Sequence, residues 1–215
     1  MAGVALGVAA LLIVMGVLGG LEDFIRESVI TVDAPLSILP AEGRSALLPD
    51  SLIAKLLELP SVQSISPFIQ GEAVIRQPSR GVDAGCRVRG IDLGDGFVLQ
   101  AMTEKLSYGE MPCDAQGDQR GVVMGIYLAE QFYHSVGDTL YLFPPRAFFS
   151  SRGHGIGTAV LTGAVETGLP INDETLAFVP LDLAAAMFLP EGGVSGYNVH
   201  PAGSSSDEDV ARDIE

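Results

Sequence analysis

The residues of this sequence that could do chemistry are few, and their spacing argues against catalysis. Cysteine occurs twice, at Cys86 and Cys113, and histidine three times, at His134, His154 and His200. A structural zinc site needs thiolate or imidazole ligands in closely spaced pairs, and these five residues are not spaced in that way. The two cysteines allow one disulfide at most, which would require an oxidising compartment. Two unpaired thiols are the alternative.

Nucleotide-binding and hydrolase motifs are also missing. No stretch has the Walker A spacing of glycines and lysine. Glycines alternate at Gly153, Gly155 and Gly157, but Thr158 stands where a dinucleotide loop has its last glycine, and no helix is predicted to follow. Ser195 lies in the sequence GGVSG, which is not a nucleophile elbow. Because the carboxylates are also dispersed, we expect no catalytic residue, no metal ligand and no cofactor.

One loop combines the residue types that bind other proteins. Residues 144–157 read PPRAFFSSRGHGIG, so two prolines stiffen the base of a segment rich in glycine and serine. Aromatic and arginine side chains carry much of the binding energy at protein interfaces. The loop therefore predicts a partner-binding site, and the alternative is that its phenylalanines fold back onto a sheet. The candidate side chains are Pro144, Pro145, Arg146, Phe148, Phe149 and Arg152.

The N-terminal segment has the length and composition of a membrane helix. From Ala2 to Leu21 no side chain is charged, and a run of this length at about 1.5 Å per residue crosses a bilayer core of about 30 Å. No basic residue precedes the run, which disfavours a cleaved signal peptide, and a helical pattern continues to Val29. Two four-residue glycine spacings would let another membrane helix approach closely, although glycine is also simply common in such helices. These glycines are Gly3, Gly7, Gly16 and Gly20.

The rest of the chain is acidic and alternates between strand and helix patterns. The formal net charge is −15 and the sequence pI about 4.4, which argues against nucleic-acid binding. Alternating apolar residues predict strands, and apolar stripes that end at proline predict helices. The predicted strands are Leu36–Leu39, Ser61–Ile69, Glu72–Gln77, Arg87–Ile91, Gly121–Met124, Thr139–Phe143, Thr158–Glu166, Thr175–Val179 and Val194–His200. The predicted helices are 50–59, capped by Asp50 or Ser51, then Ile126–His134, Asp182–Phe188 and a capping-box start at 204–209.

Several short motifs, in order over nearly the whole chain, resemble one family. They are Ala2–Leu11, Ile65–Val74, Val88–Asp92, Val122–Gly125 with Gly137-Asp138, and Thr162-Gly163 with Thr167-Gly168. The sequence resembles the LolC/LolE permeases, which are lipoprotein-releasing ABC transporter subunits related to the MacB- and FtsX-like permeases. It departs from them at Gly19-Gly20-Leu21, where the family often has Asn-Gly-Phe, and it lacks the basic residues that usually precede the first helix. The loop at 144–157 does not decide between a LolC-like role, a LolE-like role and a generic relative that moves another substrate.

The resemblance implies an α+β fold with an N-terminal transmembrane helix and a two-lobed periplasmic domain. The helix and its extension would cover residues 1–28, and a MacB-like periplasmic core domain residues 29–215. Within that domain, a porter-like α/β lobe would comprise 29–75 and 190–215, and an inserted, mostly β lobe would comprise 76–189. Residues 144–157 would match the hook, the loop with which LolC-like subunits capture the carrier LolA; we call this segment the hook-like loop. Three further membrane helices would follow residue 215.

The implied function is that of a permease subunit without chemistry of its own. It would lie in the bacterial inner membrane with its body in the periplasm, and ATP hydrolysis would occur in a partner subunit. The implied partners are the membrane, an ABC ATPase, a second permease subunit, a LolA-like carrier and its lipoprotein cargo. Two alternatives are a MacB-like efflux component and a single-pass, membrane-anchored binding module.

Overall fold

The computed structural model describes most of the chain as six helices and nine strands. It describes residues 2–30, 36–41, 45–112, 120–134, 136–145, 147, 155–202, 210 and 212–213. Within residues 2–30 the backbone is described throughout, and exposure to solvent is described only for residues 3 and 7–20. The helices are α1 (Ala2–Ile30), α2 (Asp50–Leu57), α3 (Gly96–Glu104), α4 (Ile126–Gln131), α5 (Pro170–Thr175) and α6 (Leu181–Phe188). The strands are β1 (Leu36–Ile38), β2 (Val62–Gln77), β3 (Val82–Ile91), β4 (Leu106–Gly109), β5 (Arg120–Gly125), β6 (Thr139–Phe143), β7 (Gly157–Val165), β8 (Leu176–Pro180) and β9 (Gly196–Pro201).

Helix α1 is continuous through the predicted membrane segment and its extension. The helix runs from Ala2 to Ile30, so the predicted helical continuation to Val29 is confirmed. Across the residues that the structure describes, no helix meets the combined length and hydropathy required of a bilayer span. The transmembrane assignment of Ala2–Leu21 therefore stays a prediction.

Six strands close into a ring. Each of the neighbours β2–β3, β3–β8, β8–β5, β5–β7 and β7–β6 is hydrogen-bonded, and β6 returns to pair with β2. Two of these pairs, β3–β8 and β5–β7, are parallel, and the others are antiparallel. Because a closed sheet leaves no unpaired edge within the ring, we refer to these six strands as the barrel.

The barrel is filled by every second residue of its strands. This alternation is what the period of two in a β-strand requires when one face is buried. Helix α6 covers one side through Leu183 and Met187, which join the same core, while Phe132 and Leu128 extend it from the α4 region. The inward-facing residues are Ala73, Ile75, Ala84, Cys86, Val88, Val122, Met124, Leu140, Leu142, Ala159, Leu161, Ala177 and Val179.

A smaller flank of sheet continues from the barrel along β2. Strand β2 has 16 residues and is about 50 Å long at about 3.3 Å per residue. Its second half belongs to the barrel, and its first half pairs with β9, which in turn pairs with β1. One face of this flank is apolar, with Val62 and Val199 packed against Val210 near the C-terminus. Helix α3 lies against the outside of the barrel, where Met102 packs with Val123 and Phe178.

Most of the predicted elements are confirmed, with four corrections. The two strands predicted on either side of Gln70 are one strand, because the pairing of β2 with β3 continues without a shift through Gln70 and Gly71. An added Cβ at Gly71 would collide with the Phe188 ring. Strand β3 begins at Val82 rather than Arg87. Helix α5, which has proline in its first turn, lies before β8 and occupies Pro170–Thr175, where the sequence predicts a turn around Gly168 to Asp173.

The cap of α2 is the fourth correction. Pro49, and neither Asp50 nor Ser51, occupies the cap, and its carbonyl accepts hydrogen bonds from the backbone N–H groups of Leu52 and Ile53. No side chain is needed for this, so the polar residues remain in the first turn. Helix α3 and strand β4 were not predicted, and the capping-box segment 204–209 lies outside the described residues.

Candidate partner-binding site at the β6–β7 hairpin

The hook-like loop joins two strands of the barrel. Strands β6 and β7 pair antiparallel with Leu142 opposite Gly157, so residues 144–156 close a hairpin. At its base Pro144 is buried and Pro145 is exposed, and the Ala147 N–H donates to the Pro144 carbonyl at 2.8 Å. The candidate residues Arg146, Phe148, Phe149 and Arg152 lie outside the described residues, and their part in binding stays a prediction.

An arginine holds the foot of this hairpin on the outside of the barrel. The Arg76 guanidinium donates to both carboxylate oxygens of Asp83, at 2.7 and 2.6 Å, and lies 5.6 Å from the centre of the Phe143 ring. The hydrogen bond from Arg76 lowers the pKa of the Asp83 carboxyl, and the same contact raises the pKa of Arg76. The last residue of β6 is thereby tied to the β2–β3 hairpin.

A groove of about 680 Å³ opens beside the base of the loop. It lies where the pairing of β2 with β6 and of β3 with β8 has ended, so that one end of the barrel is uncovered. Ile171 of α5 forms one of its walls and is largely exposed. The lining residues are Glu72, Ala73, Val74, Gly85, Cys86, Arg87, Phe143, Pro145, Ile171 and Thr175.

The chemistry of this groove is that of an apolar binding surface. Cys86 on its floor is a free thiol, and burial raises its pKa to about 12, so at neutral pH it is protonated and a poor nucleophile. Glu72 lies opposite Arg87 in the β2–β3 register, and the Arg87 guanidinium donates to the Asn172 side-chain oxygen at 2.8 Å. The groove can therefore hold an apolar group between a carboxylate and a guanidinium.

A buried carboxylate positions the α5 wall. Asp173 is only 2% exposed, and its Oδ1 accepts hydrogen bonds from the backbone N–H and the hydroxyl of Thr167, each at 2.8 Å. A carboxylate that satisfies two buried donors fixes the turn before α5. Ile171 is held at the groove by this turn.

The other chemical groups singled out in the sequence lie apart. His134 accepts or donates a hydrogen bond with the Tyr108 hydroxyl at 2.8 Å, while His200 is buried against Phe97. Among the described residues no three His, Cys, Asp or Glu side chains are grouped to hold a metal ion. Cys113 and His154 fall outside those residues. Because Cys86 is a free thiol, the structure shows the alternative of an unpaired thiol at Cys86 and not the disulfide.

The glycines of α1 form two open pairs on different sides of the helix, because Gly16 and Gly20 lie about 220° around the axis from Gly3 and Gly7 at about 3.6 residues per turn. A Cβ added at any of Gly3, Gly7, Gly16 or Gly20 would meet no other atom within 4 Å. Helix packing at these positions was predicted with partners beyond this chain, and it stays a prediction.

Sequence reasoning missed the groove because its walls come from distant parts of the chain. Phe143, Cys86 and Ile171 belong to three different elements, and no spacing along the chain connects them. The one local signal was Phe143, an aromatic residue at the end of a strand directly before two prolines.

The whole chain matches the sequence model of one protein family. Residues 1–215 match the MacB-like periplasmic core domain, and the chain belongs to this family. The resemblance inferred from the sequence motifs is thereby confirmed at the level of the family.

Individual relatives are more distant. The lipoprotein-releasing system transmembrane protein LolC of Neisseria meningitidis serogroup B is 23% identical over 200 residues, which are 92% of this chain and 47% of that protein. This chain thus spans about half the length of that curated relative.

Two solved structures share the architecture at 14% identity. The periplasmic region of MacB from Actinobacillus actinomycetemcomitans aligns with a TM-score of 0.55 over 83% of this chain and 79% of that chain. The extracellular domain of the noncanonic ABC-type transporter YknZ from Gram-positive bacteria aligns with a TM-score of 0.53 over 82% and 89%. At this identity the likeness concerns the fold, which is a mixed α/β periplasmic domain.

Proposed function

We propose that this chain belongs to a non-catalytic permease subunit of an ABC transporter that extracts lipoproteins from the inner membrane and passes them to a periplasmic carrier. Membership of the MacB-like family supports the general role. The similarity to a lipoprotein-releasing protein over 92% of the chain supports the cargo. ATP hydrolysis is assigned to a separate partner subunit, and a second permease subunit completes the membrane part.

The observation that carries this proposal is the position of the hook-like loop. It closes a hairpin whose two strands are both part of the barrel. The foot of the hairpin is held by the pairing of Phe143 with Val74 and by the Arg76 guanidinium over the Phe143 ring. A loop held by such a scaffold can present side chains to a partner with little loss of order in the scaffold itself. The apolar groove beside Pro145 enlarges the surface that a carrier could contact.

Helix α1 is assigned to the membrane in this proposal. Its 29 residues measure about 43 Å at about 1.5 Å per residue, which exceeds the bilayer core and leaves a turn or more outside. Large apolar side chains along it are exposed, including Leu11 at 61% and Ile13 and Val17 at 66%. Exposed apolar surface of this extent is normally covered by another molecule. Lipid, together with neighbouring membrane helices at the two glycine pairs, would cover it.

The proposed coupling runs through this helix into the periplasmic domain. We assign residues 29–75 and 190–215 to a porter-like lobe and 76–189 to an inserted lobe. The long strand β2 is shared by the flank and the barrel, so a displacement at the membrane would be transmitted toward the hairpin. Two packings of helix and lobes, biased by the ATPase, would be sufficient for transport.

The test is binding of a LolA-like carrier to the full chain in nanodiscs. Replacing both Phe148→Ala and Phe149→Ala should weaken binding by about 2 kcal/mol or more, which is about 30-fold in Kd. Tyr141→Ala is the matched control, because it removes an exposed aromatic ring from the same hairpin outside the loop, and its affinity should stay near that of the wild type. Equal affinities of the double variant and the wild type for the carrier would show that Phe148 and Phe149 do not anchor it.

A MacB-like efflux component is the second candidate, favoured by the fold of the MacB periplasmic region. It predicts no affinity for a lipoprotein carrier. The gene sequence distinguishes a single-pass binding module from both permeases. A permease requires three further apolar spans encoded after Glu215 and a Walker-type ATPase encoded nearby. A stop codon directly after Glu215 in the intact gene would refute both permease assignments.

A further inference from the structure

One histidine is buried where helix α3 meets the flank of the sheet. His200 in β9 is 4% exposed and lies opposite Ser64 of β2. Its imidazole packs against the Phe97 ring of α3, with ring centres 4.3 Å apart and the planes inclined by 43°. The contact joins the first turn of α3 to β9 in the flank.

The surroundings of this imidazole contain polar atoms without partners. Within the described part of the chain, four buried side-chain atoms here make no hydrogen bond: His200 Nε2, Asp95 Oδ2, Ser64 Oγ and Ser66 Oγ. An unsatisfied buried polar group costs about 1–3 kcal/mol, and such groups in a native structure call for a reason. Asp95 is occupied on its other oxygen, since Oδ1 caps α3 by accepting from the Phe97 N–H at 2.9 Å.

Helix α3 connects two parts of the molecule. Its later residues are held on the barrel, where Met102 packs with Val123 and Phe178. Its first turn contacts the flank through Phe97 and His200. If the first turn is released, the flank loses the contact to the barrel that α3 provides. The later residues of α3 stay packed on the barrel.

We propose that Asp95, Phe97 and His200 form a proton-operated latch, which keeps the first turn of α3 packed on β9 while His200 is neutral and opens when His200 takes up a proton. The latch is independent of the cargo and of the proposed transport function. Its basis is the contact of the Phe97 ring, which is 42% exposed, with the buried imidazole of His200, whose Nε2 is unpaired.

The direction of the response follows from the charges around the ring. Burial lowers the pKa of His200, and the field of Asp95 raises it by a smaller amount. From α3 the facing charged group is Asp95, and from β2 the facing side chain is the neutral Ser64. Asp213, the other carboxylate near this end of β2, accepts a hydrogen bond from Ser61 at 2.7 Å.

A lowered pKa makes the closed latch resist protonation. Above about pH 6.5, the ordinary value for histidine, the ring is neutral in both states and the latch is closed. Below that value the open, solvated ring binds a proton that the closed ring does not, so opening becomes more favourable. The effect levels off once the pH falls below the lowered pKa, because both states are then protonated.

The titration of the wild-type full chain in nanodiscs is the first test. NMR of the His200 Cε1 proton should give a pKa below the ordinary value. Hydrogen exchange at the amides of Phe97 and Val98, corrected for the intrinsic rate, should show an opening constant that rises by up to about tenfold per pH unit below about pH 6.5. A His200 pKa at or above the ordinary value, or protection of these amides that does not change with pH, would overturn the latch.

Variants separate the latch from general acid effects. His200→Asn should abolish the pH response at Phe97, whereas the matched control His134→Asn, at an exposed histidine, should retain it. Asp95→Asn keeps a good helix cap and removes the charge, so it should shift the His200 titration to lower pH. Retention of the full response in His200→Asn would contradict the proposal.

Discussion

The strand that carries the hook-like loop is also the strand that closes the barrel, and Leu142→Ala tests this. Leu142 in β6 is 0% exposed and belongs to the main core. The substitution removes three buried carbons, which at about 0.8 kcal/mol each is a loss of about 2.4 kcal/mol. The cavity left behind raises the cost, and fully buried Leu→Ala changes reach about 5 kcal/mol when the site cannot collapse. We expect a loss of about 3–4 kcal/mol.

The measurement is the free energy of unfolding in urea for the wild type and each variant. Leu47→Ala is the matched control, because it makes the same chemical change at a side chain that is 80% exposed, and it should cost less than about 0.5 kcal/mol. A loss below about 1 kcal/mol for Leu142→Ala, close to that of Leu47→Ala, would show that β6 does not face a closed core. In that case the hook-like loop would not be held by the barrel.

Two further substitutions test the geometry around α5. Gly125→Ala should destabilise the protein by about 2 kcal/mol or more by thermal or urea unfolding, because the new Cβ would collide with the backbone of Asp173. Gly85→Ala is the control, because a Cβ there meets nothing within 4 Å, and it should be neutral or slightly stabilising. Equal losses of stability in Gly125→Ala and Gly85→Ala would contradict the close approach of the Gly125 and Asp173 backbones. Asp173→Ala should cost about 2–4 kcal/mol, because two buried donors of Thr167 lose their acceptor. Asp173→Asn should lose less because its amide oxygen still accepts, and the reasoning fails if Asn is as harmful as Ala in the same urea assay.

Much of the local structure was predictable from the sequence because local rules determine it. Alternation of apolar residues located β6 and β7, a short apolar run located β5, and proline marked the ends of α2 and α6. The rules failed where a tertiary contact replaced the local signal. Gly71 reads as a strand break, but it is a position where the Phe188 ring takes the space of a side chain. At α2 the failure was local, because Pro49 occupies the N-cap without a side-chain hydrogen bond although two polar residues follow it.

The candidate site was predictable only in part. The two prolines and the aromatic and arginine residues of the hook-like loop stand next to each other, so composition was enough to single them out. The groove beside it depends on which strand ends meet, and Cys86 and Ile171 come together through the pairing order of the barrel. His200 and Asp95 likewise lie far apart in the sequence, and their proximity depends on where α3 packs.

The sequence by itself determined the apolar N-terminal helix, the acidic character of the body, the strands near the hook-like loop, and enough motifs to identify the family. These properties follow from side-chain type and from periods of two and 3.6 residues, which act over short distances along the chain. Only the tertiary structure decided that β6 pairs with both β2 and β7 and closes the barrel, that a groove opens beside the loop, and that His200 is buried against α3. Those outcomes depend on contacts between residues far apart in sequence, whose energies come from packing and register rather than from local preference.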